Sequence, residues 1–353
     1  LVNVPLTIET PLNQYVMQAG VSVPVSDYVL RLRSARQAAE HGVASARENL
    51  VASRRKAAAD ARLFYYDWVR ARLGALVAEQ ALAQARAHLG DAQTGFRLGT
   101  ISNADVLRVE SQVAQNELLV TTAQNQSALS EERLRTVQHE GEPRTYRIGE
   151  DVRRPLGAAG PQALPALWAE AFRARPELSA LSAESRGQLA QAAVERASYV
   201  PRLDAFANAQ YSNPNSRVFP QTEEFRGSWD AGVQLTWVLS DAASAGARSA
   251  VAEARARAAE DRRNELIDSI RLEVLSADQD VRQAEVAKDT SARGLAAAEE
   301  SYRARRLLYQ NGRATTVELL DAETDLTRAR LDALGAFIDA RVAAVRLAYA
   351  VGR

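Results

Sequence analysis

Side chains that could perform covalent chemistry or bind a metal occur in the sequence, but their spacing does not assemble a site. The three histidines, His41, His88 and His139, are scattered and have no metal-ligand spacing. The absence of cysteine excludes thiolate metal sites, disulfides and a cysteine nucleophile. No serine lies in a nucleophile elbow, and GAAGPQ at 157–162 is not a phosphate loop. The sequence therefore predicts no enzyme, no cofactor and no metal site.

Two similar stretches contain the polar groups whose spacing is informative. FRLGTISNADVLRVE begins at Phe96, and YQNGRATTVELLDAE begins at Tyr309. Gly99 and Gly312 hold equivalent positions in them, each after a long helical stretch. A helix commonly ends on a residue in the left-handed conformation, which glycine adopts without steric cost. Each stretch is therefore predicted to reverse the chain between two helices.

Each glycine is followed by a hydroxyl residue and, three positions later, by an acid. Ser102 precedes Asp105, and Thr315 precedes Glu318. Both pairs match the capping box, in which the two side chains satisfy free N–H groups at the start of a helix. Asp321 lies one turn further along, so capping does not explain it. Three interpretations of Asp321 remain open: a functional acid, a residue on a solvated helix face, or a member of an ion pair within the helix.

The chain is two copies of one plan, offset by 213 residues as Gly99 and Gly312 are. AGVSVPVSD at 19–27 corresponds to AGVQLTWVLSD at 231–241, so each copy reads strand, long helix, turn, long helix. Residue 1 corresponds to about residue 213, which leaves roughly 164–212 without a partner in the first copy. We expect a matching segment to precede residue 1.

The helices are predicted to be far longer than a globular core requires. No proline occurs from 26 to 98 or from 240 to 311, and such a helix would span on the order of 100 Å. LVAEQALAQARAHL at 76–89 has the 3.5-residue apolar period of coiled coils, with an alanine-rich seam. The Pro- and Gly-rich stretch at 140–165 predicts irregular structure, with one short strand at 146–148.

Four segments alternate between apolar and polar residues as strands do, at 2–8, 14–25, 199–211 and 229–239. Strands of about 9 to 11 residues with one apolar face and terminal aromatic side chains are typical of transmembrane β-barrels. The alternative is a soluble sheet with one face on a core. The predicted aromatic girdle consists of Tyr15, Tyr199, Tyr211, Trp229 and Trp237.

Four strands cannot close a barrel, because small membrane barrels need at least eight. The barrel must therefore be shared, with eight strands from two chains or twelve from three. Lys plus Arg and Asp plus Glu both number 44, so the chain lacks the basic excess of a nucleic-acid binder. No apolar run is long enough for a transmembrane helix, and the first residues do not read as a signal peptide.

The doubled turns, RPEL at 175–178 and YVPRLDAF at 199–206 resemble the TolC-type outer-membrane efflux proteins. The resemblance covers essentially the whole chain. It implies a homotrimer in the bacterial outer membrane, with a 12-stranded β-barrel in the lipid and an α-helical barrel of long hairpins in the periplasm. It also implies a periplasmic adaptor (membrane fusion) protein and an inner-membrane transporter as partners.

The function implied is a passive exit channel of a tripartite efflux pump, gated at the periplasmic helix tips. The same channel serving type I protein secretion is an alternative, and a soluble coiled-coil scaffold is an alternative from another class. By resemblance, Tyr309, Glu318 and Asp321 belong to the gate, and Asp105 is the matching acid of the first tip. The tips would also receive the adaptor, at Gly99, Thr100, Gly312 and Arg313.

The expected organisation follows the two copies. Residues 1–25 supply barrel strands of the first copy, and 26–139 form its long hairpin with the tip near 96–105. Residues 140–175 form an equatorial linker region. The second copy continues with a helix at 176–198, a β-hairpin at 199–239 and a long hairpin at 240–353 with the tip near 309–318.

Overall fold

The computed structural model describes residues 13–141, 144, 146–154, 162–219 and 222–353. The chain is mainly helical with one small antiparallel sheet, as the sequence predicts. The strands are β1 (Tyr15–Val23), β2 (Arg202–Asn213) and β3 (Arg226–Thr236). The helices are α1 (Val25–Leu30), α2 (Leu32–Arg97), α3 (Asn103–Gln138), α4 (Leu164–Ala174), α5 (Pro176–Arg196), α6 (Leu239–Gln310) and α7 (Thr316–Ala350).

Two sequence predictions about strands have other outcomes. The strand predicted at 2–8 lies outside the described residues. The strand predicted at 146–148 is wrong, because these residues are irregular and pair with none of the described strands. Tyr146 and Ile148 instead pack their side chains on the aromatic residues of α2.

The chain divides into two compact units. The first comprises the described residues of Leu1–Glu48 together with Ser179–Asn264, and it contains the sheet. The second comprises the described residues of Asn49–Leu178 together with Glu265–Arg353, and it contains both turns between long helices. None of the helices in the described part of the chain combines the length and apolarity needed to cross a bilayer.

In the first unit, β2 pairs with β1 on one side and with β3 on the other. The registers place Ala209 between Ala19 and Trp229, and Ala205 between Val23 and Val233. Because side chains alternate along a strand, the odd-numbered residues of all three strands share one face. That face is the apolar one predicted from alternation. Its larger members are Tyr15, Met17, Val21, Leu203, Tyr211, Trp229, Val233 and Leu235.

The opposite face of the sheet is polar and internally bonded. Asn208 Nδ2 donates to Asp230 Oδ2 at 3.0 Å, and Arg217 Nη1 donates to Asp230 Oδ1 at 2.5 Å. Phe206 is an exception on this face, and its ring lies over Gly232, where an added Cβ would be 3.1 Å from Cζ. Apart from Phe206 and Val16, the two faces thus differ in polarity.

In the second unit, the long helices pack through small side chains. Along α2 the buried positions Ala78, Ala81, Ala85, His88 and Ala92 recur at intervals of three and four residues. This is the 3.5-residue repeat of helices that wind around one another. Alanine at these positions lets the neighbouring helix backbones approach closely.

A linking segment, residues 146–154, lies on the middle of the long helices. Trp68 is 1% exposed, and its ring meets that of Tyr146 edge-on with centroids 6.0 Å apart. Arg341 on α7 donates to the carbonyl oxygens of Asp151 at 3.3 Å and Arg154 at 2.6 Å. The aromatic cluster FYYDW at 64–68 packs against this segment.

The junction of α4 and α5 is fixed by Arg175, which is 6% exposed. Its guanidinium contacts Glu177 at 3.3 Å and Glu273 at 3.0 Å, and it donates to the Ala350 carbonyl at 3.3 Å. The same group lies 5.1 Å from the centre of the Tyr349 ring. One arginine therefore joins α5, α6 and the end of α7.

Candidate functional site

The first helix tip joins α2 to α3 and ends α2 as the glycine predicts. Gly99 has φ +73°. Its N–H donates to the Phe96 carbonyl at 3.0 Å, and the Thr100 N–H donates to the Gly95 carbonyl at 2.9 Å, which is the Schellman pattern. Ile101 folds back over Gly95, where an added Cβ would lie only 2.6 Å from Cδ1. The Ile101 side chain thus occupies the space that a side chain at position 95 would need.

The second helix tip joins α6 to α7 with the same backbone bonds. Gly312 has φ +68°, and its N–H donates to the Tyr309 carbonyl at 3.0 Å. The Arg313 N–H donates to the Leu308 carbonyl at 2.9 Å. Leu308 and Ala314 hold the positions of Gly95 and Ile101, so the larger side chain has changed places between helix and turn.

The start of α7 has the complete capping box predicted from Thr315 and Glu318. The Glu318 N–H donates to Thr315 Oγ1 at 3.3 Å, and the Thr315 N–H donates to Glu318 Oε2 at 2.9 Å. Arg305 on α6 adds an ion pair to Glu318 Oε1 at 2.5 Å. The Thr315 backbone and hydroxyl hydrogen bonds, with the Arg305 charge, hold the pKa of Glu318 below its usual value. Glu318 is therefore ionised at neutral pH.

The capping box predicted at the first tip is only half present. Ser102 Oγ accepts from the Asp105 N–H at 3.2 Å, but the Asp105 carboxylate accepts from the Ser102 hydroxyl at 2.6 Å rather than from its N–H. Aspartate is one methylene shorter than glutamate, which explains why its carboxylate does not reach back to the backbone. The two tips share a backbone turn, but the helix that follows the second tip is capped by one more backbone hydrogen bond than the helix that follows the first.

Replacing Glu318 by alanine should therefore loosen the second tip more than Asp105→Ala loosens the first, because only Glu318 accepts from the backbone N–H of its capping residue. Loss of that hydrogen bond costs about 1 kcal/mol, equivalent to an about fivefold larger open population. Tryptic cleavage after the exposed Arg313 measures this population, since proteolysis follows transient opening. Cleavage after Arg97 in Asp105→Ala is the matched measurement. Equal acceleration of the two sites would contradict the difference in capping.

The remaining predicted gate residues lie close to the second tip. Asp321 is exposed on α7 and makes no hydrogen bond or ion pair within the described residues, so the pairing considered from the sequence is not observed. Tyr309 is half-buried and packs on Tyr302, Leu319, Ala322 and Leu326. Arg313 is exposed at the turn. Asp105 is the only predicted gate residue of the first tip.

The predicted aromatic girdle is solvent-exposed in the isolated chain. Trp229 is the most open of these side chains, at 78%. Tyr15, Tyr211 and Trp229 lie within strands, on the apolar face. Tyr199 instead ends the 3-10 turn Ala197–Tyr199, and Trp237 immediately follows β3. Alternation alone could not distinguish these two from strand residues.

Sequence reasoning missed a buried group of polar side chains behind the tips. Glu323, His88 and Tyr302 come from α7, α2 and α6, and they meet in the second unit. The 3.5-residue period of α2 places His88 in the buried seam, which is the one signal that could have revealed it. Within the described residues, no group of three or more His, Cys, Asp or Glu could hold a metal ion.

Comparisons with known proteins agree with this architecture. The family model described as Outer membrane efflux protein matches residues 7–138 and 167–353. No curated protein sequence matches the chain.

Solved structures share the fold. CusC superposes with a TM-score of 0.82 at 17% identity, covering 96% of this chain and 78% of that chain. The outer membrane protein VceC of Vibrio cholerae gives 0.75 at 16% identity, with coverage of 96% and 86%. The open state of the MtrE outer membrane channel of Neisseria gonorrhoeae gives 0.78 at 18% identity, with coverage of 96% and 80%.

Proposed function

The chain belongs to the outer membrane efflux protein family, and we propose on that premise that it is the exit channel of a tripartite efflux pump. It conducts small molecules passively from the periplasm across the bacterial outer membrane. It acts as a homotrimer with a periplasmic adaptor protein and an inner-membrane transporter. It carries out no covalent chemistry.

The exposed apolar face of the sheet is the observation that carries this proposal. Met17, Trp229 and Val233 are 60%, 78% and 71% exposed, and β1 and β3 each lack a partner on one side within the described residues. Lipid can cover such a face, and the unpaired strand edges require neighbouring strands. With the strand expected at 2–8, three chains supply twelve strands for one barrel, with the aromatic side chains near its rims.

The helix tips are the proposed gate and docking site. Glu318 and Asp321 on α7, repeated in three chains, form acidic rings that favour cations at a constriction, with Tyr309 and Asp105 beside them. The adaptor contacts the turns at Gly99 and Thr100 and at Gly312 and Arg313. Both glycines are exposed and leave room for another backbone.

Reconstitution in planar bilayers, combined with the mass of the detergent-solubilised protein, tests the function. We expect discrete channel currents and a mass of three chains. A monomer that stays dissolved without detergent and carries no current would instead favour the coiled-coil scaffold considered from the sequence.

Replacing Asp321 by asparagine should weaken the block of channel currents by multivalent cations from the tip side by about tenfold, equivalent to about 1.4 kcal/mol. The reason is that the substitution removes one of two acidic rings without changing side-chain size. Block constants in single-channel recordings measure the effect. Asp289→Asn, an exposed acid in the middle of α6, is the control and should leave the block unchanged. An unaltered block in Asp321→Asn would mean that Asp321 lies on a solvated helix face and takes no part in the gate.

A further inference from the structure

Three titratable side chains join the two helical hairpins behind their tips. Glu323 and His88 are 2% and 7% exposed. His88 Nε2 lies 3.0 Å from the Tyr302 hydroxyl and 3.8 Å from Glu323 Oε2. His88 belongs to the hairpin α2–α3, whereas Tyr302 and Glu323 belong to the hairpin α6–α7. The cluster lies about ten residues, or about 15 Å, from each tip glycine.

The carboxyl group of Glu323 is buried without hydrogen-bond partners. Neither of its oxygens accepts a hydrogen bond from any described residue. A buried, unpaired carboxylate is strongly unfavourable, so the group keeps its proton. Burial raises the pKa of Glu323 to about 7. Burial, reinforced by the Arg306 charge, lowers the pKa of His88.

Charged groups on the surrounding helices do not neutralise Glu323. On α2, Asp91 acts on His88; on α6, Arg306 acts on His88 and Tyr302; on α7, Arg330 acts on Tyr302. Burial, and then the Glu323 charge, raises the pKa of Tyr302. No charged group of the described part of α3 shifts any of the three. A deprotonated Glu323 would therefore be a buried charge without a cation in contact.

We propose that Glu323, His88 and Tyr302 form a proton-dependent latch that holds the two hairpins together behind their tips and loosens as the pH rises from acidic to neutral. The latch follows from the packing of three helices. Only its effect on gating rests on the proposed channel function.

The direction follows from linkage between proton binding and opening. Glu323 has a pKa of about 7 when buried, against an ordinary value of 4.5. Its stabilising effect is complete below the lower value and is lost as the pH rises through about 7. His88 has the opposite sign, because its pKa is lowered on burial and its contribution is lost as the pH falls. The loss of stability as the pH rises toward neutral therefore belongs to Glu323.

The internal repeat supplies a matched control. Glu110 on α3 is the counterpart of Glu323 in the first copy, since both lie 11 residues beyond the tip glycine. Glu110 is exposed. Glu323→Gln removes the titration and keeps the side-chain shape, whereas Glu110→Gln removes an acid of equal size that is not in the latch.

Amide hydrogen exchange of the purified protein tests the latch in segments 81–97 and 316–330. Between about pH 6 and about pH 8.5, the exchange rate of the native protein divided by that of Glu323→Gln should rise about tenfold. The ratio cancels the intrinsic pH dependence of exchange and the contribution of His88. Glu110→Gln should follow the native protein. A ratio that stays constant would overturn the proposal.

A second measurement needs no variant. Infrared spectra of the native protein should show the carbonyl band of a protonated, buried carboxyl group that disappears with a midpoint near pH 7. Absence of such a band at about pH 6 would also overturn the proposal. Neither measurement requires current through a pore, so a failure of the latch is distinguishable from a failure of the proposed function.

Discussion

Replacing Arg175 by alanine is expected to lower the free energy of unfolding by about 2 kcal/mol, because its buried guanidinium bonds to two carboxylates that are themselves partly exposed. The substitution leaves Glu177 and Glu273 without their cation and removes the donor to the Ala350 carbonyl. It also removes the guanidinium beside the Tyr349 ring. Urea denaturation of the purified protein in detergent measures the change.

Two further variants separate the role of charge from the role of geometry. Arg175→Lys keeps the charge but lacks the planar fork that reaches several partners at once, so it should recover only about half of the loss. Arg173→Ala, two residues away and exposed, should change stability by less than about 0.5 kcal/mol. If Arg175→Ala were as stable as Arg173→Ala, the contacts that Arg175 makes with α5, α6 and α7 would not contribute to the free energy of unfolding.

Replacing Trp68 by alanine is expected to cost about 4 kcal/mol, because the indole is 1% exposed and a cavity would remain. The loss should be localised as well as large. Trp68 packs on Tyr146 and Val152, so the linking segment at 146–154 should detach from the long helices. Faster tryptic cleavage after Arg153 would report the detachment, and denaturation would report the loss of stability.

Trp68→Phe is the matched control for this prediction. Phenylalanine keeps the ring contact and removes an indole N–H that reaches no acceptor among the described residues. We expect a loss of about 1 kcal/mol and native cleavage kinetics at Arg153. Equal effects of Trp68→Phe and Trp68→Ala would mean that the ring does not hold the segment.

Much of the fold could be predicted because the relevant signals are local. Gly99 and Gly312 end helices by a rule that depends on one backbone conformation. The alternation in 199–211 and 229–239 predicted a shared apolar face, and the registers of β2 and β3 confirm it. Strand ends were less certain, since Tyr199 and Trp237 continue the alternation but lie outside the strands.

What could not be predicted depends on contacts between distant parts of the chain. Arg175 was part of a recognised motif, but its partners Glu273 and Ala350 lie far along the sequence. Glu323 resembles any helix-surface acid until α2 is packed against it. The prediction of a complete capping box at Ser102 was wrong for a local reason. The motif was matched with either acid, although the Asp105 side chain is one methylene shorter than that of glutamate.

The larger side chain lies at different positions in the two tips, and this difference shows how the duplicated halves have diverged. In the first tip the turn carries Ile101 and the helix carries Gly95, whereas in the second the turn carries Ala314 and the helix carries Leu308. A leucine at position 95 would occupy the space that Ile101 now fills. Copying either residue alone from one half into the other would therefore create a steric conflict or a void, and only a paired transfer preserves the turn. The two halves therefore no longer tolerate the exchange of single residues at these positions of the turn.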